Sequence, residues 1–341
     1  AQHFIFMEYF IIEPGKMWDT LLDILVRKVR EGCEVRVMYD DAGCLGTLPH
    51  SYDKYLCSLG IHAVRFNRFI PTLNSYLNNR DHRKICVVDG NIGFMGGINL
   101  ADEYINERIR FGHWKDTGVR LMGPGVANMT EMFLQMWEYT TKERFLDRAR
   151  YMPTVVRSGD GYVQPFYDSP LDDRNVGETV FMHIINRAQR YVYITTPYLI
   201  LDNEMITALT VAAQSGIDVR IITPGIPDKK LVYRVTRSYY QQLHRAGVKI
   251  YEYRPGFLHA KMILSDDDVA VVGTMNMDFR SFFLHFECGT VLYGGETINE
   301  IRDDVLDTMG LSRQIDDEWF RSVPWLASIA ASILRLFAPM L

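Results

Sequence analysis

The sequence has few cysteines, and their spacing matches no cysteine-based metal site. Five occur in 341 residues, no two form a CxxC pair, and their number is odd. A small disulfide-stabilised protein would have more cysteines, in an even number. We therefore expect free thiols in a reducing compartment. The five are Cys33, Cys44, Cys57, Cys86 and Cys288.

Long apolar runs are also missing. No clear run reaches the about 18 residues that a membrane-spanning helix needs, and no signal peptide opens the sequence. The first residue is Ala1. This start fits either removal of an initiator methionine or a fragment whose natural N-terminus lies upstream.

An excess of basic residues is absent as well. The formal net charge is −5, so no overall positive field attracts nucleic acid. This argues weakly against a nucleic-acid substrate, because a local basic cleft is compatible with an acidic total.

What the sequence does contain is an internal repeat. The apolar segment 4–12 predicts a buried strand, and Met17, Leu21, Leu25 and Val29 then share one face of a predicted helix. Gly32 predicts its end, and a second strand follows at 35–39. The same order recurs later: a strand at 191–200, a helix with Met205, Leu209 and Ala212 on one face, a stop at Gly216 and a strand at 219–222.

Strands that alternate with helices predict two similar α/β sandwich lobes related by pseudo-two-fold symmetry. We expect the first lobe to span residues 1–155 and the second 156–341, joined through the polar segment 153–161. A C-terminal amphipathic helix is predicted beyond Pro324, either in a membrane interface or packed on the core. Its apolar stripe is Trp325, Ile329, Ile333 and Phe337.

Each half contains the same motif, HxKxxxxD, followed after a gap of six residues by GxxN. The first copy comprises His82, Lys84, Asp89 and then Asn99, and the second comprises His259, Lys261, Asp266 and then Asn276. One copy could arise by chance, but two copies at matching places in a repeat are highly specific. Residues i and i+2 of a strand share one face, so His and Lys of each motif should project together.

Two facing copies supply the groups that phosphodiester exchange needs. One neutral imidazole attacks phosphorus and the other, protonated, gives a proton to the leaving oxygen. Lys and Asn donors stabilise charge on the non-bridging oxygens. We expect no cofactor and no metal, because the motif lysines would repel a cation and no zinc ligand pattern is present.

A carboxylate stands at the head of a strand after each GxxN element. Such a carboxylate fixes the tautomer of an imidazole and makes its other nitrogen a better nucleophile. We expect Asp116 to pair with His82 and Glu287 with His259. Asp89 and Asp266 are instead expected to hold turns.

These motifs resemble the phospholipase D superfamily and, more narrowly, bacterial cardiolipin synthases. The resemblance rests on segments 6–11, 82–99, 113–116, 196–198, 256–261, 273–281 and 286–287. It implies the condensation of two phosphatidylglycerols into cardiolipin and glycerol through a phosphohistidine, with His82 as the nucleophile. It also implies a bacterial cytoplasmic membrane location, a catalytic domain on the cytoplasmic side, and N-terminal membrane helices that this chain lacks.

Three further residues are candidates for substrate binding. Glu8 stands where the second half has Thr196, Tyr198 lies in the predicted strand at 191–200, and Arg237 belongs to a basic and aromatic stretch at 229–245. We expect phosphatidylglycerol and a membrane surface as partners, and no nucleic acid. A phospholipase or nuclease on the same fold uses the same catalytic residues and remains an alternative. A non-catalytic relative usually lacks a motif His or Lys, and both pairs are present here.

Overall fold

The computed structural model describes residues 1–68, 78–324 and 334–335. The strands, in chain order, are Phe4–Tyr9 (β1), Glu34–Asp40 (β2), His62–Phe66 (β3), Lys84–Val88 (β4), Ile92–Gly96 (β5), His113–Lys115 (β6), Gly118–Met122 (β7), Tyr162–Asp168 (β8), Tyr191–Thr195 (β9), Leu199–Ile200 (β10), Asp218–Pro224 (β11), Lys249–Tyr253 (β12), Gly256–Leu258 (β13), Met262–Ser265 (β14), Val269–Gly273 (β15), Met277–Asp278 (β16), Glu287–Tyr293 (β17) and Ser312–Ile315 (β18).

The α-helices alternate with these strands. They are Lys16–Arg30 (α1), Tyr52–Ser58 (α2), Val126–Thr141 (α3), Val176–Arg187 (α4), Asn203–Gln214 (α5), Lys230–Arg245 (α6), Phe279–Phe283 (α7), Glu296–Gly310 (α8) and Asp317–Ser322 (α9). Among the helices in the described ranges, none is both long and apolar enough to cross a bilayer.

The two large sheets have the same topology, which confirms the predicted α/β duplication. The first has the strand order β3-β2-β1-β4-β5-β7, and the second has β12-β11-β9-β14-β15-β17 with β18 and β8 added at its edges. In both, the first three strands are parallel and the remaining pairs of this common set are antiparallel. We propose that these sheets mark the two lobes expected at 1–155 and 156–341.

The central strand of each sheet, β1 or β9, is buried on both faces. Its successive residues point to opposite faces of the sheet, and both faces carry apolar side chains. In β1, Phe4 and Phe6 pack in the cluster with α3, whereas Ile5 and Met7 pack in the cluster with α1. In β9, Val192 and Ile194 face α4 and α5, while Tyr191 and Tyr193, which alternate with them, face α8. Each sheet is therefore the middle layer of a sandwich.

The two sheets pack against each other through their antiparallel strands. Thr290 of β17 contacts Met95 of β5, and Val119 of β7 packs in the apolar clusters of both halves. The residues 153–160 between the two sheets have no regular secondary structure. The strands β4 and β14, which follow the two motif histidines, thus belong to sheets that pack directly against each other.

The predicted strand at 191–200 is shorter than expected. It ends at Thr195 and resumes as the two-residue β10, which pairs with β16. The break falls at Pro197, which has no N–H for a strand ladder. Thr196 stabilises the break, since its hydroxyl donates to the Tyr198 carbonyl and accepts from the Met277 N–H. The strand predicted at 4–12 likewise ends at Tyr9.

The motif aspartates hold turns at the end of each sheet opposite the histidines. Asp89 accepts hydrogen bonds from the N–H groups of Gln2, His3 and Phe4, and Asp266 accepts from those of residues 189–191. The apolar stripe predicted at the C-terminus, Trp325, Ile329, Ile333 and Phe337, lies outside the described residues. Nearby, Leu334 packs on the core of the second half and Arg335 stacks on Tyr239.

Candidate active site

Both motif histidines line one cavity at the junction of the two halves. Its volume is about 610 Å³, a size that suits a small ligand or a lipid headgroup. His82 stands two residues before β4, which begins at Lys84, and His259 stands three residues before β14, which begins directly after Lys261; both lie near the carboxyl end of the neighbouring central strand. Asn99, Asn276 and Tyr198 also line this cavity.

The histidine–carboxylate pairs are crossed between the halves. His82 Nδ1 lies 2.9 Å from Glu287 Oε1, and His259 Nδ1 lies 2.7 Å from Asp116 Oδ2. The pairing predicted from the sequence, Asp116 with His82 and Glu287 with His259, is therefore wrong. The reason is that the two halves face each other, so the nearest carboxylate to each imidazole belongs to the opposite half.

Backbone hydrogen bonds also connect each motif histidine to the opposite half. The His82 N–H donates to the Phe286 carbonyl at 3.0 Å, and the His259 N–H donates to the Lys115 carbonyl at 2.7 Å. Phe286 and Lys115 each directly precede the carboxylate that receives the imidazole. Strands β6 and β13, one from each half, pair in parallel beside His259. The peptide backbone thus fixes both imidazole rings relative to their carboxylates.

The lysine of each motif donates a hydrogen bond to the backbone carbonyl of the histidine in the same motif. Lys84 Nζ donates to the His82 carbonyl, and Lys261 Nζ donates to the His259 carbonyl, both at 2.5 Å. Both side chains are buried. Burial lowers the pKa of Lys84 to about 8 and that of Lys261 to about 7. The protonation of both lysines near pH 7 therefore depends on the charge of any ligand bound beside them.

Burial also controls the protonation of the imidazoles. It lowers the pKa of His82 to about 3 and that of His259 to about 4, although the neighbouring carboxylates act in the opposite direction. Both rings are therefore neutral near pH 7 in the empty site. With Nδ1–H directed at a carboxylate, Nε2 carries the free lone pair, which is the form a nucleophile or general base requires.

The two asparagines are bonded differently. Asn99 accepts from the Ile11 N–H and donates to the Tyr104 hydroxyl. The backbone N–H of Asn276 donates to Ser281 Oγ, but its side-chain oxygen is buried and has no hydrogen-bond partner in the part of the chain that the structure describes. Asn276 is therefore the asparagine whose side-chain oxygen can still accept a hydrogen bond from a ligand in the cavity.

Two of the three candidates for substrate binding are not in the cavity. Glu8 is fully buried and its carboxylate lies 2.9 Å from Arg83 Nε, because a charge in the core requires an opposite charge beside it. Arg237 is engaged by Glu252 at 2.8 Å, and neither residue lines the cavity. The prediction for Glu8 is therefore wrong, whereas Arg237 is partly exposed outside the cavity and its role stays a prediction. Tyr198 does line it, and its hydroxyl donates to Asp228 at 2.5 Å.

Sequence reasoning missed the side chains that flank the imidazoles. Trp114 and Tyr104 lie beside His259, with ring centroids 5.2 and 5.4 Å away. His285 lies 5.5 Å from His82 and is also near Glu287. Trp114 and His285 each precede their half's carboxylate by two residues. That shared spacing is the signal that could have identified both.

One further difference concerns the first residue after the glycine of each GxxN element. Thr274 donates its hydroxyl to Glu287, whereas the first half has Gly97 at this position. A Cβ added at Gly97 would lie 2.2 Å from Asp116 Oδ1. The glycine is therefore required by the close approach of the Asp116 carboxylate.

His82, His285 and Glu287 could also ligate a metal ion. Their ligand atoms all lie within 4.8 Å of one another, and nitrogen and oxygen ligands of this kind suit zinc. Because the cluster includes His82 itself, an ion bound there would occupy the imidazole that the motif provides.

Comparison with solved structures agrees with the fold. The phosphatidylserine synthase of Haemophilus influenzae Rd KW20 superposes with a TM-score of 0.74 and 13% identity, covering 100% of this chain and 91% of that one. At that identity the likeness concerns the fold alone.

Sequence relatives specify the family. The family profile described as "Cardiolipin synthase, PLD-like domain" matches residues 181–308. The cardiolipin synthase of Geobacillus kaustophilus is 40% identical over 100% of this chain and 68% of its own length. An uncharacterised protein of Streptococcus mutans is 49% identical over 100% of this chain and 74% of its own. This chain belongs to the cardiolipin synthase family and is a phosphatidyltransferase with the phospholipase D fold.

Proposed function

We propose that this protein joins two phosphatidylglycerol molecules into cardiolipin and glycerol through a phosphohistidine on His82. The observation that carries the proposal is the crossed pair of neutral imidazoles, each held by a carboxylate of the opposite half and both lining one cavity. Two equivalent groups at one site suit a reaction in which one histidine is a nucleophile and the other transfers protons.

In the first step His82 Nε2 attacks phosphorus, and the bond from phosphorus to the glycerol oxygen breaks. The bound phosphodiester anion favours the charged form of His259, so this ring takes up a proton from solvent on binding. The departing oxygen then takes that proton from His259 Nε2, and His259 becomes neutral. The product of this step is a phosphatidyl group on His82 and free glycerol. Glu287 balances the positive charge that the His82 ring acquires.

In the second step a hydroxyl of another phosphatidylglycerol loses its proton to His259 Nε2. Its oxygen attacks phosphorus, the phosphorus–nitrogen bond breaks, and His82 is regenerated. We assign stabilisation of the developing negative charge to the ammonium groups of Lys84 and Lys261 and to the side-chain amide N–H of Asn276. Both catalytic side chains are at most 10% exposed, which supports transfer to an alcohol over transfer to water.

The membrane is the source of both substrates in this proposal, with the catalytic domain on the cytoplasmic side. The test is mass spectrometry of lipids after incubating the reconstituted protein with phosphatidylglycerol alone. We expect cardiolipin and glycerol in equal amounts. Phosphatidic acid as the main product would instead indicate a hydrolase, and cleavage of single-stranded DNA with no lipid product would indicate a nuclease.

A further inference from the structure

Aliphatic side chains are exposed on two segments next to the cavity. Ile109 is 81% exposed, and Ile105, Ile226 and Leu231 are also exposed. They belong to residues 105–111 and 226–231, and each segment contributes to the cavity wall: Arg110 and Phe111 from the first, Asp228 and Lys229 from the second. Exposed aliphatic side chains that cluster beside a cavity, unlike singly scattered ones, mark an interaction surface.

The two segments are neighbours in space. The Ile226 N–H donates to the Gly256 carbonyl at 3.2 Å, and the His113 N–H donates to the Pro255 carbonyl at 2.9 Å. A Cβ built on Gly112 would lie 3.1 Å from Ile226 Cδ1. Residues 255–258 therefore join both segments to the backbone that leads to His259. We call residues 105–111 and 226–231 the rim.

Cationic side chains accompany the exposed aliphatic ones. Lys229, Lys230 and Arg234 are exposed on the second segment and the helix that follows it, and Arg108 and Arg110 on the first. The arginines are partly balanced by Glu13 and Glu103, whereas residues 226–234 combine three cations with one acidic residue, Asp228. Exposed aliphatic groups with flanking cations are typical of surfaces that enter the headgroup layer of an anionic bilayer.

We propose that the rim docks on an anionic lipid leaflet and places the cavity mouth directly over it. This inference rests on the proposed function, because a lipid substrate is what makes a membrane the occupant of the rim. Docking would let a phosphate headgroup enter the cavity while its acyl chains stay in the bilayer. Charge complementarity with phosphatidylglycerol favours this occupant over a second protein chain.

Two other exposed aliphatic residues provide matched controls. Leu146 is 96% exposed and Val156 is 85% exposed. Leu146 follows Phe145, which packs on Tyr151, and Tyr151 contacts Phe4 at the start of β1. Val156 adjoins Val155, whose N–H donates to Asn91 in the turn between β4 and β5. Both controls lie at the end of the first sheet that is opposite the cavity.

The experiment compares the double variant I109S/L231S with the control L146S/V156S. Binding to phosphatidylglycerol vesicles is measured by co-sedimentation, and turnover of a soluble phosphodiester reports the chemistry. We expect the rim variant to bind at least tenfold more weakly than the wild type, with unchanged turnover of the soluble substrate. The control should bind as the wild type does.

Equal binding by the rim variant and the wild type would overturn the docking proposal. So would a wild-type dimer that the rim substitutions convert to a monomer without weakening vesicle binding, because the rim would then be an interface between copies. The proposed function fails separately: in that case the wild type binds vesicles through the rim but forms no cardiolipin.

Discussion

His259 and Asp116 are 143 residues apart, yet His259 Nδ1 lies 2.7 Å from Asp116 Oδ2. The bond joins the second sheet's motif to a residue that precedes β7 of the first. The reciprocal bond, from His82 to Glu287, joins the first motif to the second sheet. Each catalytic group is thus positioned by the half that does not contain it.

The crossed pairing predicts which chemical step each carboxylate supports. Asp116→Asn should spare formation of the adduct on His82 when the substrate has a good leaving group, because the imidazole that Asp116 contacts is that of His259, the proton-transferring histidine. Glu287→Gln should slow that first step on the order of 10²-fold or more, since it removes the charge that orients His82. Rapid-quench measurement of the adduct gives both rates. The reverse pattern would support pairing within each half.

The two histidines should be separable by covalent trapping. With a good leaving group His259→Ala should form the adduct and then stall, because nothing activates the incoming hydroxyl. His82→Ala should form no adduct with any substrate. Peptide mapping after an alkaline quench should find acid-labile label on His82. Label on His259 in the wild type would exchange the two roles, and net inversion at phosphorus without any adduct would contradict a double displacement.

Gly97 should tolerate no side chain. Gly97→Ala places a methyl group against Asp116, so we expect the carboxylate to move away from His259 and transfer to fall at least about tenfold. Gly46→Ala is the control, because a Cβ there meets no atom within 4 Å. Circular dichroism and thermal unfolding check that both variants are folded. Normal transfer by a folded Gly97→Ala variant would show that this contact is not needed.

Ligand binding should be accompanied by proton uptake near pH 7. The pKa of His259 is about 4 and that of Lys261 about 7 in the empty site. A phosphodiester anion favours their charged forms, so it raises both pKa values and draws protons from the buffer. Calorimetry with a non-transferable phosphonate analogue, in two buffers of different ionisation enthalpy, measures the number taken up. The uptake should diminish as the pH falls toward and below 4, because a growing fraction of His259 is then protonated before the ligand binds. Its absence at pH 7 would contradict this description.

Metal ions should inhibit and chelators should not. His82, His285 and Glu287 can hold a cation, and an ion there competes with phosphorus for the His82 nitrogen. Added zinc should therefore reduce turnover of a soluble phosphodiester, and His285→Asn should need more zinc for the same inhibition. Excess chelator should leave the wild type active. Activity that is lost with chelator and restored by metal would contradict a mechanism that depends on the two lysines.

Local patterns predicted most of the fold and the central residues of the site. The apolar alternation in β1 and β9 and the spacing of Leu21 and Leu25 in α1 arise from short-range periodicity, which the sequence displays directly. The duplicated motif identified His82 and His259 as candidates in the same way. Each of these features depends on neighbours within a few positions along the chain.

The features that were predicted wrongly depend on contacts between distant segments. Asp116 and Glu287 were assigned to the histidine of their own half because nothing in a local pattern shows that the halves exchange partners. Glu8 was expected to bind substrate, but its carboxylate lies beside Arg83, a buried arginine directly before the adjacent strand β4. A one-dimensional pattern shows that a charge is present and does not show which opposite charge it meets.

The crossed bonds have a consequence for how such a protein can change over time. A separated half would hold an imidazole and a carboxylate that cannot satisfy each other, so it would be competent only when bound to another half. Joining both in one chain makes that encounter intramolecular, and activity no longer falls on dilution. The two halves then no longer need the same residue at equivalent positions. Thr274 corresponds to Gly97 in this way, and His285 corresponds to Trp114. Two halves that began as equivalent can therefore specialise, one for the nucleophile and the other for proton transfer, and each can accumulate its own substitutions.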